Sequence, residues 1–278
     1  MTLTKAVNVG QVPQRSIFRY PGGKTWLVPI IRKWLGHYNG LELLAEPFAG
    51  GGIVGLTAVA EGLVGRVVLA ELDEGVAAVW LSTLNGHSEW LCRKIKSFQF
   101  TEENVRRIIS EDAPTLHGRA FKTIVHNRAS RSGIMAEGAG LIKTGENGRG
   151  IASRWYPATL QERIRGIKKL SCLVDFVLGD GFAVMEEHLH EKTTALFIDP
   201  PYTVASRRLY RHNDVDHERL FSLASQHQGP CLLTYDDTKE VRTWAKKYGV
   251  LCKNVAMQNA HLDKKKELLI SRDFRWLL

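Results

Sequence analysis

Residues 41–71 read as a strand, a glycine turn, a helix and a second strand. No other stretch constrains the fold as much. Leu41 to Glu46 is a short apolar strand ending in an acid, and Gly50-Gly51-Gly52 marks a tight turn. Ile53 to Glu61 follows as a helix, and Arg66 to Ala70 as a second strand that ends at Glu71. Ala195-Leu196-Phe197-Ile198 is apolar throughout, as a strand buried on both faces in a parallel sheet must be. Further strands are expected at Ser171–Leu178, Cys231–Thr234 and Glu267–Ile270. The pattern predicts an α/β core.

Helical periodicity occupies the rest of the first 170 residues. It predicts helices over 24–36, with Trp26, Leu27, Ile30, Ile31 and Trp34 on one face, and over 72–84, 88–97, 102–110, 114–126 and 157–169. Between the last two lies a glycine-rich stretch, Gly133 to Gly150, expected to be a mobile or ligand-ordered loop or hairpin. Charge separates this middle third from the rest. Residues 85–170 hold sixteen Lys and Arg against eight Asp and Glu, residues 1–84 seven against six, and residues 171–278 fifteen of each. A local basic excess is the footprint of a phosphate-backbone binder, although an ordinary solvated surface carries such an excess too. The expected organisation is a core in two parts, residues 1–84 and 170–278, interrupted by a basic insertion at 85–169.

With 278 residues, 44% of them hydrophobic, the chain can bury a sizeable core. It has no apolar run of about 18 residues, which argues against a membrane span. Met1–Gln14 lacks the basic and apolar regions of a signal peptide. Cys92, Cys172, Cys231 and Cys252 are scattered, and no histidine cluster has metal-ligand spacing. The expectation is reduced thiols, a cytoplasmic protein and no metal.

Chemistry concentrates after the apolar strand, at Asp199-Pro200-Pro201-Tyr202. An acid at the carboxyl end of such a strand sits where open α/β sheets bind ligands. Neither proline has an N–H, so the chain cannot pair onward, and the fixed φ stiffens the turn. A carboxylate, a rigid carbonyl and an aromatic ring then lie together. That set suits a planar NH2 donor with a π-face, such as the exocyclic amine of adenine. The bland alternative is a Pro-Pro turn with a helix-capping acid.

Glu46-Pro47-Phe48-Ala49-Gly50-Gly51-Gly52 lets backbone approach a ligand at a helix start. It is not the dinucleotide fingerprint, because Phe48 stands where a glycine would be needed. Glu71 lies about 20 residues on, where an acid takes ribose hydroxyls. Gly22-Gly23-Lys24-Thr25 invites a phosphate-loop assignment, which fails because Phe18 holds the first glycine position and no strand leads in. The alternative is a loop that lays Tyr20 and Lys24 over a small ligand near a carboxylate.

Taken in order, Phe18–Lys24, Glu46–Gly52, the 85–169 insertion and Asp199–Tyr202 resemble the Dam-like N6-adenine DNA methyltransferases in their α arrangement of motifs. Leu232–Asp236 and Glu267–Ile270 resemble that family's late strands. The resemblance implies a Rossmann-like class I S-adenosyl-L-methionine (SAM) methyltransferase fold: a mostly parallel seven-stranded sheet with a mainly helical target-recognition insertion. It implies that Glu46, Phe48, Gly50 and Gly52 form the SAM loop and that Glu71 binds the ribose, with Glu71-Leu72-Asp73 in place of the family's Asp-x-Asn. Gly179-Asp180-Gly181-Phe182 resembles the motif that contacts the cofactor adenine, through Asp180 and Phe182; the inserted Gly181 departs from that pattern. Tyr20, Gly22 and Lys24 would meet the methionine end of the cofactor, beside Asp199. Asp199 and the Pro200 carbonyl would accept hydrogen bonds from the target amine, and Tyr202 would stack on a base flipped out of the duplex.

Recognition would fall to the insertion. Asn127-Arg128-Ala129-Ser130 resembles the family's Asn-Arg-x-Ser segment, and Arg128, Arg131 and Arg154 are the expected DNA contacts. The pattern associated with GATC-reading members is missing, so another target site is expected. The resemblance implies double-stranded DNA as partner, a monomer, no metal, a cytoplasmic and nucleoid-associated activity, and a bacterial or phage-borne enzyme, for instance of restriction-modification. Three alternatives stay open: an RNA adenine methyltransferase, a cytosine N4-methyltransferase (where serine is more usual at position 199), and a catalytically silent DNA-binding protein.

Overall fold

The computed structural model describes residues 11–20, 23–136, 139–202, 215–258 and 264–277. Seven strands form one sheet: β1 (Leu43–Glu46), β2 (Arg66–Glu71), β3 (Val174–Leu178), β4 (Thr194–Ile198), β5 (Cys231–Asp236), β6 (Leu251–Gln258) and β7 (Lys264–Ser271). Their order is β3-β2-β1-β4-β5-β7-β6. The first five pair in parallel, and β7 runs antiparallel to both β5 and β6.

Alternation along the central strands sends successive side chains to opposite faces. Leu44, Val67, Leu69, Ala195, Phe197, Leu232 and Leu269 join one buried cluster, which includes Leu27, Trp34, Leu56 and Trp80. Ala45, Ala70, Leu196, Ile198, Leu233, Leu268 and Ile270 join the other, with Met185, Phe221 and Val241. Helices cover both faces, which is why β4 has no exposed residue and no polar one beyond Thr194.

The first cluster is covered by α1 (Val28–Gly36), α2 (Ile53–Ala60) and α3 (Glu74–Leu84), and continues into the middle of the chain. There α4 (Ser88–Ser97), α5 (Glu102–Ser110), α6 (Leu116–Ala129) and α7 (Pro157–Lys169) contribute Leu91, Ile95, Val105, Phe121, Ile124, Leu160 and Ile164. The helical segment is therefore continuous with the core of the sheet. The second cluster is covered by α8 (Gly181–Glu187), α9 (His217–Gln226) and α10 (Lys239–Lys247).

Local chemistry sets the boundaries. Helix α3 starts two residues later than expected, because the Asp73 carboxylate accepts from the N–H groups of Gly75 and Val76 and caps it. Thr115 caps α6 in the same way, and that helix runs on to Ala129. The expected helix over 24–36 opens as a 3-10 turn, Lys24–Leu27. The glycine-rich stretch forms short 3-10 turns rather than a hairpin, with one antiparallel bridge between Ser130 and Leu141; Gly138 lies outside the described residues. Strand β6 and helices α8, α9 and α10 are further elements that the sequence patterns did not single out.

Candidate active site

Strand order reverses between β1 and β4, since β1 continues outward to β2 and β3 while β4 continues to β5. Open α/β sheets bind ligands in the crevice at such a switch point, beyond the carboxyl ends of the strands. Four acids mark that edge: Glu46 at the end of β1, Glu71 at the end of β2, Asp180 just past β3 and Asp199 just past β4.

The glycine turn is fastened between β1 and β2. Gly50 donates its N–H to Glu71 Oε2 at 3.1 Å, and its carbonyl accepts from Trp80 Nε1 at 3.0 Å. Gly50 and Gly52 have φ of +48° and +58°, in the left-handed region that favours glycine. A Cβ at Gly52 would also lie 2.7 Å from the Trp80 ring. The Tyr20 ring lies over this turn, 3.3–3.5 Å from where Cβ atoms on Gly50 and Gly51 would be. Glu71 also accepts from the N–H groups of Leu72 and Asp73, and burial pushes its carboxyl above the usual range.

Glu46 is buried, and its Oε2 accepts the Gly55 N–H at 2.8 Å, near the start of α2. Burial raises its pKa to about 8; that hydrogen bond opposes the rise, Asp199 adds to it, and Lys24 opposes it. A Cβ on Gly55 would fall 2.9 Å from this carboxylate, so glycine is what admits it.

Lys24, 5% exposed, is the cation of the cluster. Its Nζ lies 2.8 Å from Asp199 Oδ1 and 3.2 Å from Glu267 Oε1, and donates to the Tyr202 hydroxyl at 2.9 Å. Asp199 Oδ1 also accepts from Tyr202 at 3.1 Å and from Thr234 Oγ1 at 2.7 Å. All these contacts use Oδ1; among the described residues, Oδ2 makes none. Glu267 Oε1 is the alternative acceptor of the single Tyr202 proton, while Oε2 is buried without a partner. Burial raises Glu267 to about 7, with Lys24 opposing the rise and Asp199 adding to it.

Thus Lys24, Asp199 and Tyr202 come together, joined by Thr234 and Glu267, with Glu46 within electrostatic range of Lys24 and Asp199. The register explains Thr234: Ile198 pairs with Leu233, so the next residues, Asp199 and Thr234, lie side by side. Glu267 enters from β7, on the same side of the strand as Leu269, which pairs with Thr234. The Tyr202 ring stacks on Tyr235, with centroids 5.9 Å apart. Pro200 is buried. Phe48 and Phe182 meet edge to face at 6.1 Å, and Arg219 lies over Phe182 at 4.7 Å. Asp180 caps α8 by accepting the Phe182 N–H at 3.0 Å. Gly181 is required there, since a Cβ would strike the Pro47 carbonyl. Gly22 lies outside the described residues.

The three expected DNA-contact arginines differ in position. Arg131 is exposed, and Arg154 is part-exposed and paired with Glu146. Arg128 is buried, donates to the Ile17 carbonyl, and has its pKa lowered to about 9 by burial and by neighbouring arginines. That position corrects the expectation of a surface contact at Arg128, whose guanidinium is used inside the fold. Its neighbour Asn127 exchanges hydrogen bonds with the Arg19 backbone (3.0 and 2.8 Å) and donates to the Gly133 carbonyl at 2.9 Å. A separate cleft of about 480 Å³ lies between Asp73–Gly75 and α6, away from Asp199. Among the described residues no helix is long and apolar enough to cross a membrane, and no group of His, Cys, Asp and Glu could hold a metal ion.

The sheet order, with its antiparallel β7 and the acids along its switch point, defines a class I SAM-dependent methyltransferase fold. Within it, residues 20–109 match the family model of the D12 class N6 adenine-specific DNA methyltransferases, in agreement with the Dam-like resemblance of the motifs. No curated protein matches the chain. Among solved structures it is similar to the rRNA methyltransferase aviRa from Streptomyces viridochromogenes, with 10% identity, TM-score 0.43, and coverage of 96% of this chain and 94% of that one. It is also similar to the N-terminal domain of human METTL16 in complex with SAH, with 8% identity, TM-score 0.43, and coverage of 95% and 75%. A third is M. capricolum TrmK with S-adenosyl-homocysteine, at 10% identity, TM-score 0.36, and 87% and 66% coverage. These likenesses are distant, and the fold class stands on the strand order itself.

Proposed function

We propose that this protein is a DNA adenine N6-methyltransferase that uses SAM and acts on an adenine flipped out of the duplex. The observation that carries the proposal is Asp199: its Oδ1 is saturated by Lys24, Tyr202 and Thr234, while Oδ2 is left for a donor on the substrate.

The residues along the switch point fit the cofactor. The positive-φ glycine turn allows close backbone approach, and Glu46, Glu71 and Asp180 supply carboxylates at three consecutive strand ends. Glu46, Phe48, Gly50 and Gly52 would hold its methionine and sugar region together with Tyr20 and Lys24. Glu71 would take the ribose hydroxyls, and Asp180 and Phe182 the adenine. SAM supplies an electrophilic methyl group on a sulfonium. The chain's own contribution is positioning and electrostatics. Asp199 Oδ2 and the Pro200 carbonyl accept from the target amine and so aim its nitrogen lone pair. Lys24 Nζ, 2.8 Å from Oδ1, places a positive charge beside the Asp199 carboxyl and holds it in place. The proton that the amine sheds on methylation passes to Asp199. Tyr202 lines the place of the base, with its ring fixed against Tyr235.

The test is modified-base sequencing of plasmid DNA from cells expressing the protein, beside cells expressing Asp199→Ala. N6-methyladenine in one short motif, lost in the variant, is the expected result. Methylated RNA with unmodified DNA would replace the substrate; neither modification would leave a silent binding protein.

A further inference from the structure

The segment before Tyr20 is surrounded by arginines. Arg163 donates to the Ser16 carbonyl at 2.9 Å and Arg128 to the Ile17 carbonyl, so both are engaged with backbone. Arg19 is not used in this way. It is half-buried, its Nη1 has no partner, and among the described residues it makes no ion pair. Arg154 and Tyr156 lie within electrostatic range of its guanidinium, and the Arg154 charge, with burial, holds the Arg19 pKa below its ordinary value. Tyr156 is 41% exposed, and the Arg149 guanidinium lies 5.2 Å from its ring centroid. Arg154 has one acidic partner, Glu146, on the surface, where such a pair contributes little. Arg149 and Tyr156 are in contact, Arg154 lies between them in sequence, and Arg19, one residue from the ring that covers the glycine turn, is within electrostatic range of Arg154 and Tyr156.

Like charges held together repel, and a half-buried cation without a partner is costly, so an anion placed here relieves both. The excess of basic residues in the middle third makes the partner a polyanion. We infer that Arg19, Arg149, Arg154 and Tyr156 form a strip that holds the sugar-phosphate backbone of duplex DNA beside the catalytic cleft, guanidiniums on phosphates and the Tyr156 ring against sugar or base. The inference rests on the DNA substrate proposed above and assigns its binding face. It replaces the buried Arg128 with Arg19 as the phosphate contact nearest the cleft.

The experiment is fluorescence anisotropy of a labelled mixed-sequence DNA duplex with the full chain and S-adenosylhomocysteine, over about 50 to 200 mM salt. Each of Arg19→Gln, Arg149→Gln and Arg154→Gln is expected to lower the salt slope by about 1, and Tyr156→Ala to weaken binding about tenfold with little change of slope. Arg106→Gln, on the exposed face of α5, serves as control and is expected to change neither. Unchanged slopes for Arg19→Gln and Arg149→Gln overturn the strip. If Arg19→Gln fails to fold, the exposed Arg149 decides alone. Tighter binding of duplex RNA overturns the choice of DNA. Methyl transfer by the same proteins separates the two proposals. An active enzyme whose variants keep their slopes loses the strip only. Slope changes in a protein that transfers no methyl group keep the strip and remove the reaction. No binding of either nucleic acid removes both.

Discussion

Replacing Glu46 with glutamine should change how stability depends on pH, and the size of the change follows from the burial of this carboxyl. Its pKa is raised from 4.5 to about 8 in the folded chain, chiefly by desolvation. Below 4.5 both states hold the proton. Between 4.5 and about 8 the folded state keeps a proton that the unfolded chain has released, so stability falls as pH rises. The contribution is therefore full below 4.5 and lost as pH passes about 8. One proton over one pH unit corresponds to about 1.4 kcal/mol, so between roughly pH 6 and pH 8 the wild type should lose about 2 kcal/mol relative to Glu46→Gln. Glutamine keeps the volume and an oxygen for the Gly55 N–H, so the comparison isolates the proton. Glu267 titrates nearby, raised to about 7; its contribution is common to both proteins, and the same pair in a Glu267→Gln background checks that. The assay is urea unfolding of the cofactor-free proteins at about pH 6, 7 and 8. A stability difference that is flat across this range would refute the reasoning, because Glu46 would then carry the same charge throughout.

With the cofactor placed as proposed, its positive charge would come near the same carboxyl, so binding should release a proton near neutral pH; calorimetry in buffers of different ionisation enthalpy reads this directly, and equal heats would contradict it. Lys24→Met removes the only Lys or Arg in contact with Asp199 and Glu267 among the described residues; single-turnover methyl transfer should fall about 100-fold or more, and retention of rate would remove Lys24 from the reaction. Asn127→Ala deletes three hydrogen bonds to Arg19 and Gly133 and should cost roughly 2–4 kcal/mol in denaturant unfolding. Gly52→Ala meets both a φ of +58° and the Trp80 ring; it should destabilise by about 2 kcal/mol or more and weaken cofactor binding, as read by thermal shift with and without S-adenosylhomocysteine.

Strands β1, β2, β4 and β5 were legible because each is a short, largely apolar run with an acid at or just past its carboxyl end, as burial within a parallel sheet favours. Strand β6 was not, since Leu251–Gln258 mixes Lys253, Asn254 and Gln258 with apolar residues at the sheet edge, where only β7 pairs with it. The Asp199–Tyr202 tetrapeptide announced itself through two prolines after a strand. Its supports did not. Thr234 flanks Asp199 only once the β4–β5 register is known, and Glu267 reaches Lys24 only because β7 runs antiparallel beside β5. Both lie more than 30 residues from Asp199 in sequence, and a single sequence carries no signal for contacts of that range.

Arg128 shows how a local motif can be seen correctly and placed wrongly. A basic residue in a basic segment suggests a phosphate, yet whether a guanidinium faces solvent depends on what packs above it. Here the covering element is the chain before Tyr20: Asn127 satisfies the Arg19 N–H and carbonyl while Arg128 binds the Ile17 carbonyl two residues earlier. A buried polar side chain that closes backbone groups on both sides is held by geometry that few other residues can supply. The Asn127-Arg128 pair therefore ties the end of α6 to the strand of chain that carries Tyr20 over the glycine turn. It follows that a substitution at Asn127 should disturb cofactor affinity even though the residue lies outside the cofactor crevice.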